Sequence, residues 1–168
     1  MTGWKSANMA MEDLPSGRAW LRMGLMKDDP MDAQGGGTKA GELKKQLLDL
    51  RQGLLILHKA LIDSERKAYE ETFGTIESQN RFLQLLISDP WFAWLHPVSE
   101  LVVLIDETIE AEEPLTAEGV VRLRRQTRSL LVASEEGDGF PRSYFEALQR
   151  DADVVLAHAD VARCLKYN

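Results

Sequence analysis

The sequence predicts an all-α fold, an up-down helical bundle of four long helices with one or two short ones. Leucines recur at alternating steps of four and three after residue 42, and later segments repeat this apolar spacing. No segment alternates apolar and polar residues between hairpin signals, as half-buried strands do. With 168 residues, of which 44% are hydrophobic, the chain is long enough to bury a core without disulfides or metals.

The first long helix is predicted from about residue 40 to residue 72, since this stretch has no proline and Gly74 is a typical terminator. Its inward row is Leu43, Leu47, Leu50, Leu54, Leu57 and Leu61. A second apolar row, at 48, 55 and 62, widens the apolar arc and favours a bundle over a two-stranded coiled coil. Gly53 is expected to cost this helix about 1 kcal/mol relative to alanine.

Residues that typically begin helices predict where each of the following helices starts. Ser78 is the expected N-cap of the second helix, and Asp89 followed by Pro90 repeats that signal. Pro97 predicts a restart, because proline inside a helix loses a backbone hydrogen bond. Thr116 opens the fourth long helix. The predicted inward residues are Val98, Leu101, Val102, Ile105 and Ile109, then Val120, Leu123, Thr127, Leu130 and Leu131, and in the last helix Phe145, Leu148, Ala152, Val155, Ala159 and Ala162.

Residues 1–38 differ in composition from the rest, and we expect a flexible N-terminal tail followed by one bundle domain at 39–165. All six methionines fall within the first 31 positions, and three glycines at 35–37 form a flexible break. One interpretation is a disordered tail with a short helical piece near residues 18–26 that docks on something. The other is that the natural start is Met31.

Charge and cysteine content limit the partners and the cellular compartment that we expect for this protein. The net charge of −7 argues against a nucleic-acid partner, although the segment 122–128 holds four arginines. Six acids between residues 100 and 113 precede those arginines, so the two neighbouring helices are expected to meet through opposite charges. The single Cys164 fits a reducing compartment, and no apolar run approaches the 18 residues of a membrane span. We expect a cytoplasmic protein without a membrane partner.

The three histidines of the chain are candidate metal ligands, because a neutral imidazole binds zinc and iron well. His58, His96 and His158 are predicted on or beside different helices, and a bundle that gathered them around zinc or iron would resemble DinB-like or hemerythrin-like proteins. Glu100, four residues after His96, is a further candidate. The chain has no Glu-x-x-His pair, however, and apolar residues surround His58 and His158. We therefore expect no metal or other cofactor, and a metal-binding bundle is the alternative.

The aromatic block at residues 91–94 is the most specific feature of the chain. Trp91, Phe92 and Trp94 point in different directions on a helix, so they either plug the end of the bundle or leave an exposed patch. Together with His96 they form the candidate interaction surface. A small-ligand pocket between the bundle and residues 91–95 is a further hypothesis.

The stretch Asp89-Pro-Trp-Phe-Ala-Trp-Leu95 resembles the most recognisable block of a family of uncharacterised bacterial all-α proteins. The resemblance extends over roughly residues 43–165 and implies a stand-alone bacterial protein, but it implies no activity and no functional residue. Because the sequence shows no convergent catalytic set, we expect a non-enzymatic module that associates with another protein or with itself.

Overall fold

The computed structural model describes residues 39–166, which form six α-helices, one 3-10 helix and no strand. The helices are α1 (Lys39–Phe73), α2 (Gln79–Ser88), the 3-10 helix (Pro90–Leu95), α3 (His96–Glu110), α4 (Ala117–Leu130), α5 (Phe140–Arg150) and α6 (Ala152–Lys166). The all-α prediction is confirmed, with four helices of 14 to 35 residues and two of 10 and 11. The tail predicted at 1–38 lies outside these residues. Within 39–166, no helix has both the length and the apolar character that crossing a bilayer requires.

The long helix α1 is the element around which the others pack. It contacts the 3-10 helix and α3, α4, α5 and α6. Five of its six predicted inward leucines are at most 1% exposed, which confirms the predicted row: Leu47, Leu50, Leu54, Leu57 and Leu61. Full burial of one such side chain contributes about 1.5–3 kcal/mol, so this row is a large part of the hydrophobic stabilisation.

The predicted helix boundaries are confirmed at the caps. α1 ends at Phe73, where Gly74 takes a φ of 94°, a backbone conformation that glycine adopts readily. The Ser78 hydroxyl accepts a hydrogen bond from a first-turn N–H of α2 at 3.2 Å. Asp89 accepts one from the Trp91 N–H at 2.9 Å. These side chains satisfy backbone donors that a helix start leaves free.

The predicted inward row of the last helix is wrong, because the predicted single helix is interrupted at Asp151. That residue ends α5 in an extended conformation, and its carboxylate then accepts the Asp153 N–H at 3.0 Å as α6 begins. The Lys67 ammonium of α1 also donates to it at 3.0 Å. The interruption changes the phase of α6. The buried residues are Tyr144, Ala147, Val154, Ala157, Val161 and Leu165. Three of the predicted ones, Ala152, Val155 and Ala159, are exposed.

The helices α3 and α4 are in contact, as the charge pattern indicated, but the acids and arginines that could meet there do not pair. Among the described residues, no ion pair joins these two groups. Asp106 of α3 instead pairs with Arg51 of α1. Two arginines of α4 donate to carbonyl oxygens in the last turn of α6: Arg124 to Cys164, and Arg128 to Leu165 at 2.7 Å. They satisfy acceptors that a helix end leaves free.

A buried polar contact fixes the end of α5 on α1. Glu65 is 6% exposed and pairs with Arg150, the last residue of α5. The Arg150 guanidinium also donates to the buried Ser64 hydroxyl at 3.3 Å. A buried carboxylate is tolerated only when it is paired and hydrogen-bonded, so the register of α5 on α1 is specified by these two bonds.

At Gly53, α1 and α6 pack closely. It is buried, and a Cβ at this position would lie 3.2 Å from Cγ2 of Val161. The helix-propensity cost predicted for this glycine is therefore accompanied by close packing of the two helices, which a larger residue would disrupt.

We expect Gly53→Leu to lower the free energy of unfolding by about 1–3 kcal/mol, because a large side chain forces α6 away from the leucine row. Urea denaturation followed by circular dichroism measures this. Gln52→Leu, at the exposed neighbouring position, is the matched control and should change stability by about 0.5 kcal/mol or less. Equal effects of the two substitutions would contradict close packing at Gly53.

Candidate interaction surface

The 3-10 geometry of residues 90–95 determines where the aromatic side chains go. A 3-10 helix has three residues per turn, so residues three apart lie on the same side. Phe92 and Leu95 share the inward side and are 0% and 2% exposed, whereas Trp91 and Trp94 share another side and are half-buried. Phe92, predicted as part of an interaction surface, is therefore a core residue, and that part of the prediction is wrong.

Trp91 belongs to an aromatic cluster at the C-terminal end of α1. Its ring meets Phe73 edge-on at 5.5 Å between centroids and Tyr69 edge-on at 5.9 Å, and Tyr69 lies 4.7 Å from Phe73. Phe73 is 63% exposed. We call these three residues the aromatic surface. The Trp91 indole Nε1 is buried and has no hydrogen-bond partner, so this ring is fixed by packing alone.

The aromatic surface rests on buried rings that hold it in place. Tyr69 lies 5.4 Å from Phe92, and Phe92 meets Phe82 edge-on at 5.9 Å. The guanidinium of Arg66 covers the other side of this layer, 4.8 Å from the centre of the Phe82 ring. Each ring-to-ring contact contributes about 0.5–1.5 kcal/mol beyond burial, so the exposed rings have a rigid support.

Acidic groups border the aromatic surface. Glu70 and Glu71 lie in the last turn of α1, which contains no basic residue, and Glu77 follows in the next loop. The Glu70 carboxylate accepts hydrogen bonds from the Ile76 N–H at 3.1 Å and from Arg66 at 3.2 Å. These bonds outweigh the effect of burial and hold the pKa of Glu70 below its usual value. The C-terminus of a helix is itself partly negative. Phe73 therefore closely follows acidic residues at the partly negative end of α1, where Arg66 pairs with Glu70 and Glu71 is exposed.

Trp94 belongs to a second aromatic group, which docks α5 and α6. Its ring meets Phe140 at 5.5 Å, and Phe140 stacks on Tyr144 at 5.3 Å. Burial raises the pKa of Tyr144 well above its ordinary value, so the phenol stays protonated. Its hydroxyl is hydrogen-bonded to Nδ1 of His158 at 2.7 Å. Trp94 and His158 are thus engaged in packing the bundle.

The histidines do not assemble a metal site. Nε2 of His96 donates to the Leu86 carbonyl at 3.1 Å, near the end of α2. Burial and the nearby His96 lower the pKa of His58 to about 4. Over residues 39–166, no group of three or more His, Cys, Asp or Glu side chains could hold a metal ion, so His58, His96, His158 and Glu100 do not form the predicted alternative site.

Two surface grooves lie away from the aromatic block. One, of about 570 Å³, runs between α1 and α6, and the other lies between α3 and α4. No residue from 91 to 95 lines either groove, so neither is the small-ligand pocket that we hypothesised beside the aromatic block.

The structure thus retains Trp91 from the predicted surface and adds Tyr69 and Phe73, which the sequence reasoning missed. The available signal was their spacing. They lie four residues apart, outside the leucine row, and Phe73 directly precedes the terminator Gly74. Aromatic residues at that spacing share one side of a helix and lie next to whatever follows the turn.

None of the protein-family models, curated proteins or solved structures compared with this chain matches it. The resemblance carried by residues 89–95 therefore stays a prediction.

The depressed pKa of His58 predicts a loss of stability in mild acid. Below about pH 6.5 the unfolded chain takes up a proton at this position, whereas the folded protein stays neutral there down to about pH 4. The free energy of unfolding should therefore be highest above pH 6.5 and fall by about 3 kcal/mol towards pH 4. We expect His58→Gln to remove most of this fall. Urea titrations of both proteins at pH 7.0 and 4.5 test it, and equal falls in the two proteins would rule out His58 as the cause.

Proposed function

We propose that this protein acts by binding another protein through the aromatic surface of Tyr69, Phe73 and Trp91, and that the bound segment is cationic. The observation that carries the proposal is Phe73, a large ring that is 63% exposed although two neighbouring rings fix its position. Rigid exposed aromatic side chains are the groups that most often anchor protein interfaces, because binding costs them little conformational entropy.

The surroundings of the rings support a cationic partner. Arg66 pairs with Glu70, but Glu71 and Glu77 are exposed, and the last turn of α1, which holds no basic residue, adds the partly negative end of the helix. An arginine or lysine placed over Phe73 would gain about 0.5–2 kcal/mol from the ring face in addition to the attraction of these carboxylates. The net charge of −7 would also speed the approach of a basic segment.

Catalysis and nucleic-acid binding receive less support. His96 and His158 each use a ring nitrogen in a bond that holds the bundle together. Arg124 and Arg128, part of the arginine-rich segment, donate to the end of α6 and are occupied structurally. We therefore propose a non-enzymatic role in the cytoplasm, in keeping with the lone Cys164, and a bacterial source as the resemblance at residues 89–95 implies.

A labelled peptide of alternating arginine and glycine tests the proposal by fluorescence anisotropy. We expect wild-type protein to bind it and Phe73→Ala to weaken binding by about 2- to 30-fold, the range of one cation–π contact. Glu71→Gln should weaken binding as well, and more strongly at low salt, since screening reduces the charge term.

Two controls make this test specific. Ile87→Ala removes a comparably exposed apolar side chain on α2 and should leave the affinity unchanged. A peptide with citrulline in place of arginine keeps the shape and loses the charge, and it should bind at least several-fold more weakly. Equal binding of the two peptides, or an unchanged affinity of Phe73→Ala, would refute the proposal.

A further inference from the structure

The outward side of α6 is apolar where the sequence alone predicted burial. Val155 and Leu156 are 45% and 66% exposed, and Ala152 and Ala159 are exposed beside them. The break at Asp151 directs Val154 and Ala157 inward and leaves this second apolar row uncovered by the described residues. Two large aliphatic side chains side by side on a helix surface are costly in water unless something covers them.

The apolar region continues onto α1. Ile56 is 47% exposed, and it lines the groove between α1 and α6 together with Leu156. We call Ile56, Val155, Leu156 and the two alanines the α6 face. It shares no residue with the aromatic surface.

The charges along α6 are arranged for self-pairing. Asp153 lies in the first turn, and Arg163 and Lys166 lie in the last turn, all exposed. Between them Asp160 forms an ion pair with Arg163 of the same helix, so Lys166 adds the remaining positive charge at this end. Two copies of α6 packed antiparallel about a two-fold axis would bring each Asp153 towards the partner's basic end. Parallel packing would bring like charges together and align the two helix dipoles unfavourably.

An antiparallel register also matches side-chain sizes. If Asp153 of one copy lies near Arg163 of the other, Leu156 lies near the partner's Ala159, and the reciprocal contact forms across the axis. Large side chains against small ones allow two helices to approach to about 8–10 Å. The same arrangement would cover Val155 on both copies.

We propose that the protein forms a homodimer through the α6 face, with the two α6 helices antiparallel and Leu156 close to the two-fold axis. The inference goes beyond partner binding by the aromatic surface, which would remain free in each subunit. The occupant of the face is a second copy of this chain, because the acidic first turn of α6 is complementary to its basic last turn when two copies lie antiparallel.

Sedimentation equilibrium of the full chain between about 1 and 200 μM tests the homodimer. We expect wild-type protein to show twice the monomer mass at the upper concentrations. Leu156→Glu should raise the dissociation constant at least 10-fold, because it places two carboxylates near the axis. Ile87→Glu, which adds the same charge at an exposed position on α2, should leave the dimer intact.

A charge exchange tests the orientation without altering the apolar residues. Asp153→Arg should weaken the dimer several-fold, and adding Arg163→Asp should restore it, since the exchange recreates the complementary ends. Wild-type protein that stays monomeric at 200 μM, or a dimer unaffected by Leu156→Glu, would overturn the proposal. Recovery failing in the double variant would overturn the antiparallel arrangement. Peptide binding at the aromatic surface is measured separately, so either proposal can fail alone.

Discussion

The leucine row of α1 is the constraint on which the remaining structure depends. Five leucines that are at most 1% exposed lie along 47–61, and a single neighbouring helix can cover only one side of such a row. The 3-10 helix and α3 to α6 therefore all contact this one helix. Polar bonds then fix where each neighbour sits: Asp106 with Arg51, Arg150 with Glu65, and Asp151 with Lys67. Hydrophobic burial holds the bundle together, and these bonds select its register.

The aromatic surface forms where the 3-10 helix packs against the C-terminal end of α1. The three-residue period of the 3-10 helix places Phe92 and Leu95 in the core. Trp91 and Trp94 lie on another side, where each packs against a different helix. Trp91 joins the end of α1, and Trp94 joins α5. The short 3-10 segment thus connects the core to the surface that we propose for partner binding.

Local rules predicted the parts of the fold that local chemistry determines. The cap at Ser78, the stop at Gly74 and the leucine row of α1 each follow from residues within one or two turns, and all were correct. The phase of α6 was not predictable in this way. Its sequence offers two apolar rows, and Asp151, whose carboxylate caps α6 and binds Lys67 from a distant part of the chain, decides between them. Burial of Phe92 likewise depended on a helix type that apolar spacing does not reveal.

The pairing of α1 with α6 has a consequence for synthesis on the ribosome. These helices are the first and last of the described residues, so the side of α1 at Gly53 stays uncovered until Val161 is made, 88 residues after Phe73. At roughly 5–20 residues per second, the wait is about 5–20 s. During that interval the 3-10 helix and α3 to α5 can already pack on α1, but its α6-facing side stays open. That side of the leucine row is therefore the part of the core that closes last during synthesis, and incomplete chains expose it to aggregation.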